Sequence, residues 1–541
     1  MRKINNSKFY INLPIILAVG ISAGILIGAR MVDSGQQSTD LFSSVYKFRE
    51  ILTHVERDYV DQVKTDELVE SAIESMLEKL DPHTVYIPAK DAALAKSQLD
   101  GEFEGIGIEF NLLKDTIYVV APISGGPSEK VGLQSGDKII KIEQEQVAGK
   151  GITNRMVIDK LRGKKGSKVT VSVKRRGVDE LLDFTITRDR IPQNSVEVSY
   201  MVDKEIGYIR ISRFAANTYD EFKSALDKLK SRGMQKLILD LQGNPGGYMD
   251  RATNLVDEFL PADQLIVYTD GKRDRYDTRT MSTSKGSFLN QPIIVLIDEG
   301  SASASEIVAG ALQDNDRALV VGRRSFGKGL VQMPIALNDG SELRLTISRY
   351  FTPSGRSIQK SYENGNKEYQ MDQIERFEHG EFFHMDSIKF IDTLEYKTNK
   401  GRIVYGGGGI MPDYFVPLDT SSHSEYFRKL FLNNTLREYS LNYAEKHRKK
   451  LANLSFEEFQ NNFDVTDQML KDLVKLGEES EIPFQQNDFN KSKELLKLRI
   501  KAQIARSIWQ EEGFYPIINE QNEVFQQALQ LFEEARQLAS N

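Results

Sequence analysis

The stretch that most restricts how this chain can fold runs from Ile293 to Gln332. It opens with Ile293 to Ile297, a continuous apolar run of strand length bounded by turn residues, which reads as a buried strand. Asp298-Glu299-Gly300 supplies turn chemistry, and S-A-S-A-S-E then starts a helical pattern with Ile307, Val308 and Leu312 on one apolar face. Ser303 and Glu306 have the S-x-x-E spacing of a capping box, which predicts Ser303 at the point where strand turns into helix. Free backbone N–H groups and the helix dipole favour a developing negative charge there. A second strand, Ala318 to Val321, delivers Gly322 and a loop carrying Lys328, with Gln332 four residues on.

A serine at a helix start and a lysine between Gly327 and Gly329 point to a Ser–Lys dyad. Serine is a weak nucleophile until a base removes its proton, and a neutral lysine can be that base. Bringing a lysine from about 10.4 down to roughly 7 costs ~4 kcal/mol, which burial can supply. An uncharged Gln332 could orient the amine without raising its pKa. The bland readings are an ordinary N-cap and a solvated surface charge. Gly322 to Lys328 also reads G-x-x-x-x-G-K after a strand, like a phosphate-binding loop. However, Gly329 stands where that loop needs Ser or Thr, and a strand pattern follows instead of a helix. Chemistry alone leaves Ser301, Ser303 and Ser305 equally eligible.

The run S-A-S-A-S-E-I, then D-x-x-R-A and F-G-K-G-x-V-Q, resembles the active-site segment of the carboxyl-terminal processing peptidases. These are Ser–Lys endopeptidases with a crotonase-like core and a PDZ domain. The resemblance implies Ser303 as nucleophile, Lys328 as general base and Gln332 as its orienting partner. The turn N-P-G-G (244 to 247) is similar to the family loop that lends a backbone N–H to the oxyanion hole. That implies Gly246 or Gly247 as one donor and the N–H of Ala304 as the other; such donors carry ~10² to 10³ in rate. Gln242-Gly243 departs from the Arg-Asn expected before this turn.

Three segments resemble a PDZ domain: G-I-G-I at 105 to 108, G-P-S-E-K-V-G-L-Q-S-G-D-K-I-I-K-I at 126 to 142, and L-R-G-K-K-G-S-K-V-T-V-S-V at 161 to 173. Gly105, Ile106, Gly107 and Ile108 then form the loop whose N–H groups cradle a peptide's terminal carboxylate, the peptide adding as an extra strand. Its pocket near Ile108 and Phe110 is expected to prefer an apolar terminal side chain. L-D-P-H-T (80 to 84), R-Y-F-T-P-S-G-R-S-I-Q (349 to 359) and G-R-I-V-Y-G-G-G-G-I-M-P-D (401 to 413) extend the resemblance over roughly 41 to 418.

The rest of the chain bounds these readings. A length of 541 residues allows two to four domains, and 40% hydrophobic with 28% charged residues builds ordinary cores. A net charge of −7 argues against nucleic acid as a partner. The absence of cysteine excludes disulfides and thiolate chemistry, and the six histidines form no local metal-binding pair. Neither metal nor cofactor is expected. Arg2, Lys3 and Lys8 precede a nearly all-apolar run, Leu13 to Ala29, that reads as an uncleaved signal anchor in preference to a removed signal peptide. The charge asymmetry across this run orients the remainder of the chain outside the cytoplasm. Gly20, Gly24 and Gly28 offer a small-residue face for helix pairing, although glycine is common in membrane segments.

The expected order is a signal anchor over 1–31, a polar linker near 32 to 39, and a helical segment over 41–96. Its amphipathic pattern (Phe42, Val45, Phe48, Ile51, Leu52) runs from about Leu41 to Leu80. A PDZ β-domain over 97–190, an α/β crotonase-like peptidase core over 191–418 and a helical extension over 419–541 complete it. Phe427, Leu430, Phe431, Leu495, Leu496, Leu498 and Ile500 give that extension apolar surface to bury on the core or in a homo-oligomer. The functional expectation is an inner-membrane-anchored, periplasmic endopeptidase that selects protein substrates by their apolar C-termini. The alternative is an inactive PDZ scaffold that binds C-termini; a complete Ser303/Lys328/Gln332 set argues against a decayed core.

Overall fold

Alternation along one strand sets the architecture. In Ile293–Ile297 the first, third and fifth side chains enter one apolar core and the second and fourth enter another. All five are buried, as a parallel sheet covered on both faces requires. The computed structural model describes residues 36–123, 125–388 and 394–540. The Leu13–Ala29 segment and its glycine face lie outside them. Among the described residues no helix is long and apolar enough to cross a membrane.

The described residues before Leu80 form one unit and those from Leu80 onward a second. The first holds α1 (Gln36–Asp58) and α2 (Thr65–Leu77). The expected linker at 36–39 is therefore helical, and the single helix expected up to Leu80 breaks at 59–64, where Tyr59, Val60 and Val63 disfavour helix. Phe42, Val45, Phe48 and Ile51 of α1 are 74%, 58%, 44% and 56% exposed, so this apolar face is open.

The second unit begins with β1 (Val85–Ile87), α3 (Ala89–Asp100) and β2 (Glu102–Gly105). A small β-domain comes next: β3 (Ile108–Leu113), β4 (Thr116–Pro122), β5 (Lys138–Ile142), β6 (Glu145–Gln146), helix α4 (Asn154–Leu161), β7 (Lys168–Lys174) and β8 (Leu182–Thr187). Its order is β3-β4-β5-β7-β8 with β6 on β5, so β3 is an edge. Val169, Val171 and Val173 alternate into its core with Ile117, Ile139, Val157 and Ile186. Strand β9 (Asp189–Pro192) then pairs antiparallel with β2, so the chain enters and leaves the β-domain side by side.

The chain continues through β10 (Val196–Met201), β11 (Ile206–Ile211), α5 (Thr218–Ser231), β12 (Lys236–Asp240), α6 (Met249–Asp257), β13 (Leu265–Gly271), β14 (Thr278–Met281), β15 (Ile293–Ile297), α7 (Ala304–Asp314), β16 (Leu319–Gly322), β17 (Leu330–Ala336) and β18 (Glu342–Phe351). After α8 (Asn366–Glu378) and the hairpin β19 (Glu395–Lys397)–β20 (Ile403–Tyr405), β21 (Tyr414–Phe415) completes the main sheet. Its order is β10-β11-β12-β15-β16-β21, parallel except for β10. A second sheet runs β1-β18-β13-β14 with β17 also on β18. Residues 85–87 thus belong to this sheet, although they fall in the span read as an N-terminal helical segment.

Helices α5, α6 and α7 cover one face of the main sheet through Phe222, Leu226, Val256, Val308 and Leu312. The other face is covered by the C-terminal extension. That region holds α9 (Glu425–Leu432), α10 (Thr435–Lys446), α11 (Asp467–Glu479), α12 (Gln486–Ile518), α13 (Glu523–Gln530) and α14 (Phe532–Ser540). Helices α9 to α12 build their own core, where Leu430, Leu496 and Ile500 are fully buried. Phe431, expected inside, is 54% exposed because it falls on the far side of α9. α13 and α14 lay Val524, Phe525, Ala528, Phe532 and Ala535 on Tyr208, Ile238, Ile294 and Leu296. Fully burying each large apolar side chain contributes roughly 1.5–3 kcal/mol, so the extension is an integral layer.

Candidate active site

The three alternating serines after β15 divide by what their hydroxyls do. Ser301 Oγ donates to the Leu241 carbonyl (2.8 Å) and Ser305 Oγ to the Asn244 carbonyl (2.9 Å). Both serines are fully buried. Ser303 is partly exposed, and its O–H proton has no protein acceptor among the described residues. Its backbone sits at φ 54°, ψ −112°, outside the regions a residue with a Cβ ordinarily occupies. Such strain costs of order 1–3 kcal/mol and clusters at functional sites. It is held here by Glu306, whose Oε2 accepts the Ser303 N–H at 2.8 Å, the return half of the capping box.

The loop before β17 is tied to the same atoms. Glu306 Oε2 also accepts the Lys328 N–H (2.9 Å), while Oε1 accepts the Gly327 N–H (2.7 Å) and the Ser325 hydroxyl (2.5 Å). Tyr350 OH, on β18, lies 3.0 Å from the Ser303 carbonyl and 2.6 Å from the Lys328 carbonyl, one proton shared between two acceptors. Glu306 and Tyr350 therefore hang the serine turn and the lysine loop from common points. The sequence pattern gives Glu306 only a cap and Tyr350 no role; a carboxylate on an otherwise apolar helix is the available signal for the first. Burial pushes the Glu306 carboxyl up to about 7 against its four hydrogen bonds. Burial likewise lowers Lys328 from the usual lysine range, opposed by the negative charge of Glu306. No ion pair reaches the Lys328 ammonium among the described residues.

The N-P-G-G turn lies directly over the serine. A Cβ on Gly246 (φ +97°) would come 2.7 Å from Ser303 Cβ and 2.8 Å from the Ala304 nitrogen, so only glycine leaves that space open. Gly247 (φ +143°) pairs with Phe214, and a Cβ there would meet the Phe214 carbonyl at 2.0 Å. Buried Asn244 shapes the turn: its Nδ2 donates to the Ile211 carbonyl (2.9 Å) and its Oδ1 accepts the Gly246 N–H (2.9 Å). That engages Gly246's N–H and leaves those of Gly247 and Ala304 without a backbone acceptor among the described residues. The Gln242-Gly243 departure is accommodated, with Gly243 N–H on Asp298 Oδ1 (2.7 Å) and the Gln242 carbonyl accepting Arg210 Nη2 (2.8 Å).

Gln332 is placed differently from the expectation. Its Nε2 approaches Thr346 Oγ1 across the β17–β18 pair (3.4 Å), and no hydrogen bond joins its side chain to Lys328 among the described residues. Thr346 Oγ1 in turn donates to Asp81 Oδ1 (3.1 Å), which also accepts the N–H groups of His83 (2.8 Å) and Thr84 (2.9 Å). The D-P-H-T turn thereby reaches the site. His83, bonded to Tyr369 OH (2.7 Å), is brought down to about 4 by burial and by the charges of Lys328 and Lys360, against Asp81.

In the β-domain, Ser128 holds the Ile106 carbonyl through its N–H (3.1 Å) and hydroxyl (2.6 Å), fixing the G-I-G-I loop. Gly105 pairs with Asp189 in β2–β9, and Gly107 takes φ +71°. Ile108 and Phe110 lie half-buried against a core that includes Val157 and Leu161 of α4, beside the free edge of β3. Among the described residues no cluster of His, Asp or Glu could hold a metal ion.

Known proteins share these elements. The peptidase family S41 matches residues 205–365, a PDZ domain 105–186, the N-terminal domain of the activating protease CtpB 27–91, and a family of unknown function 426–510. The chain is 38% identical to the carboxy-terminal-processing protease of Bartonella bacilliformis over 64% of its own length and 79% of that relative. It is 37% identical to carboxy-terminal processing protease CtpB of Bacillus subtilis, covering 60% of this chain and 68% of that one. Among solved structures it is similar to a photosystem II D1 C-terminal processing protease, 29% identical over 58% of this chain and 83% of the other, with a TM-score of 0.34.

Proposed function

The chain belongs to the carboxy-terminal processing proteases, serine-type peptidases of family S41 with a PDZ domain, and on that premise we propose that it cuts proteins selected by an apolar C-terminus using a Ser303–Lys328 dyad. The observation that carries the dyad is the double suspension of both residues from Glu306 Oε2 and Tyr350 OH. Neutral Lys328 takes the Ser303 proton as Oγ bonds to the scissile carbonyl carbon. The resulting oxyanion is held by the N–H groups of Gly247 and Ala304. Lysinium then protonates the departing amine, leaving an acyl-enzyme, and a water deprotonated by Lys328 releases the new C-terminus. Gln332 belongs to the wall behind the lysine, in the Thr346–Asp81 network.

The substrate's terminal carboxylate lies on the Gly105–Ile108 loop and its last residues extend along β3. The parallel β11-β12-β15-β16-β21 sheet with helices between its strands supports a crotonase-like core. Attachment to the inner membrane through Leu13–Ala29 with a periplasmic catalytic region belongs to the same reading, as does self-association. The open face of α1 supports the latter. The test is degradation of an unfolded reporter with an apolar C-terminus by wild type, Ser303→Ala and Lys328→Ala. Cleavage by wild type alone, with binding retained in all three, is the expected result. Cleavage by Lys328→Ala would place the base elsewhere, and silence of all three with intact binding would favour a scaffold.

A further inference from the structure

The PDZ domain is tied to the rest of the second unit at separate points. At its base the β2–β9 pair carries the chain in and out, a two-stranded ribbon about which a domain can pivot. Helix α4, beside the peptide groove, is tied to α3 by Arg155 Nη1 to Asp91 Oδ1 (2.9 Å) and Arg162 Nη1 to Ser97 Oγ (3.0 Å). The opposite wall is β3, with its free edge. There Glu109 Oε1 receives Arg437 Nη2 of α10 (3.1 Å) and Arg506 Nη2 of α12 (3.3 Å). Lys114 to Glu438 (3.3 Å) adds a third contact, but with the lysine 58% exposed it is worth least. Gly136 completes the seat: a Cβ there would come 2.9 Å from the Glu445 carboxyl carbon.

Beyond Glu109 the polar contacts continue toward the site. Arg506 also pairs with Glu511 (2.5 Å). After the non-helical Gln510 (φ 55°, ψ −143°) turns the chain, Tyr515 OH donates to Glu197 Oε2 (2.7 Å). Arg210 joins Glu197 (3.0 Å), Asp240 (2.6 Å) and the Gln242 carbonyl (2.8 Å), two residues before Asn244 shapes the glycine turn over Ser303. The extension therefore spans from the peptide-binding strand to the loop above the serine as a strut packed at both ends.

We propose that Arg437 and Arg506, by holding Glu109 beside the peptide edge, fix the distance from the groove to Ser303 and so set how many residues from its C-terminus a substrate is cut. This rests on the C-terminus reading above. An extended peptide advances ~3.3 Å per residue. A pivot about β2–β9 that changed the cut by one residue must move the groove by about that much. Contacts of 3.1 Å and 3.3 Å would then lie far outside hydrogen-bonding range. With the arginines seated, one register is allowed; with them released, neighbouring registers open.

The full-length protein is given an unfolded reporter with an apolar C-terminus, and a second reporter with the same tail displaced by an inserted linker. Products are read by intact mass spectrometry. Wild type should give one dominant cut that moves with the C-terminus. In Arg437→Gln/Arg506→Gln the ratio of the dominant product to its neighbours should fall about fivefold, equivalent to ~1 kcal/mol. Glu109→Ala removes the same contacts from the PDZ side and leaves the Arg506–Glu511 pair in place, so it should lower the ratio by a similar factor, and it keeps the test decisive if the glutamine variant is unstable. An unchanged distribution in the glutamine variant, with wild type still measuring from the C-terminus, would overturn the strut. A wild-type cut that ignores the tail's position would instead overturn the C-terminus reading beneath it.

Discussion

Tyr350→Phe removes one oxygen from a fully buried ring and tests which side of the site the tyrosine serves. The Ser303 carbonyl keeps two other donors, the N–H groups of Glu306 (2.9 Å) and Ile307 (3.0 Å), so it loses little. The Lys328 carbonyl has Tyr350 OH, at 2.6 Å, as its donor. An unpaired buried carbonyl costs ~1–3 kcal/mol, and the half-buried position of Lys328 puts the cost near ~1 kcal/mol. The loss thus falls on the lysine loop. A loosened, better hydrated loop raises the Lys328 pKa towards its ordinary value, because burial is what lowers it. An upward shift equivalent to that ~1 kcal/mol reduces the neutral fraction, and the rate, about fivefold wherever pH lies below that pKa. The rates of variant and wild type should converge to within about threefold at high pH. The assay is kcat/KM for a short fluorogenic peptide across pH, with labelling of Ser303 by a fluorophosphonate as a second readout. A loss of the same factor at every pH would refute the argument by placing Tyr350 on the serine side, and no loss at all would deny it a role.

Three further outcomes are expected from the same geometry. Gly246→Ala should abolish turnover, by ~10³-fold or more, with the fold intact by circular dichroism, because its Cβ fills the space over Ser303 and the Ala304 nitrogen. Ser301→Ala and Ser305→Ala should each destabilise by ~1 kcal/mol in denaturant titrations yet keep activity within severalfold, since their hydroxyls serve carbonyls. Glu306 has a folded pKa raised to about 7, so its contribution to stability is present below the unfolded value of 4.5 and is lost as pH rises through about 7. His83, lowered to about 4, has the opposite slope, destabilising as pH falls from 6.5 through 4. Relative to Glu306→Gln, wild type should therefore lose thermal stability as pH rises from 4.5 through 7.

What sequence makes legible is mostly local. Ile293–Ile297 is a strand at the expected residues because a run apolar on both faces has one stable home, the middle of a covered parallel sheet. The strand–turn–helix at Ser303 comes from turn chemistry and cap spacing. Contacts at long separation are not legible in this way. Tyr350 meets Ser303 from 47 residues away, and Val85 pairs with Arg344 across the whole PDZ domain. No periodicity records such pairings. The break between α1 and α2 is hidden because the apolar spacing continues through it while the helical backbone does not. The seat of the C-terminal helices is open for another reason: amphipathic helices advertise a face to bury without naming its partner, and here one set makes its own core while α13 and α14 cover the sheet.

That last arrangement bears on when the protease matures. Strands β11, β12, β15 and β16 leave the ribosome long before Val524, Phe525, Ala528, Phe532 and Ala535, the residues that close their outer face. Until those arrive, Tyr208, Ile238, Ile294 and Leu296 lie bare, a surface for chaperones to occupy. Synthesis thus finishes before the serine turn has a complete sheet beneath it.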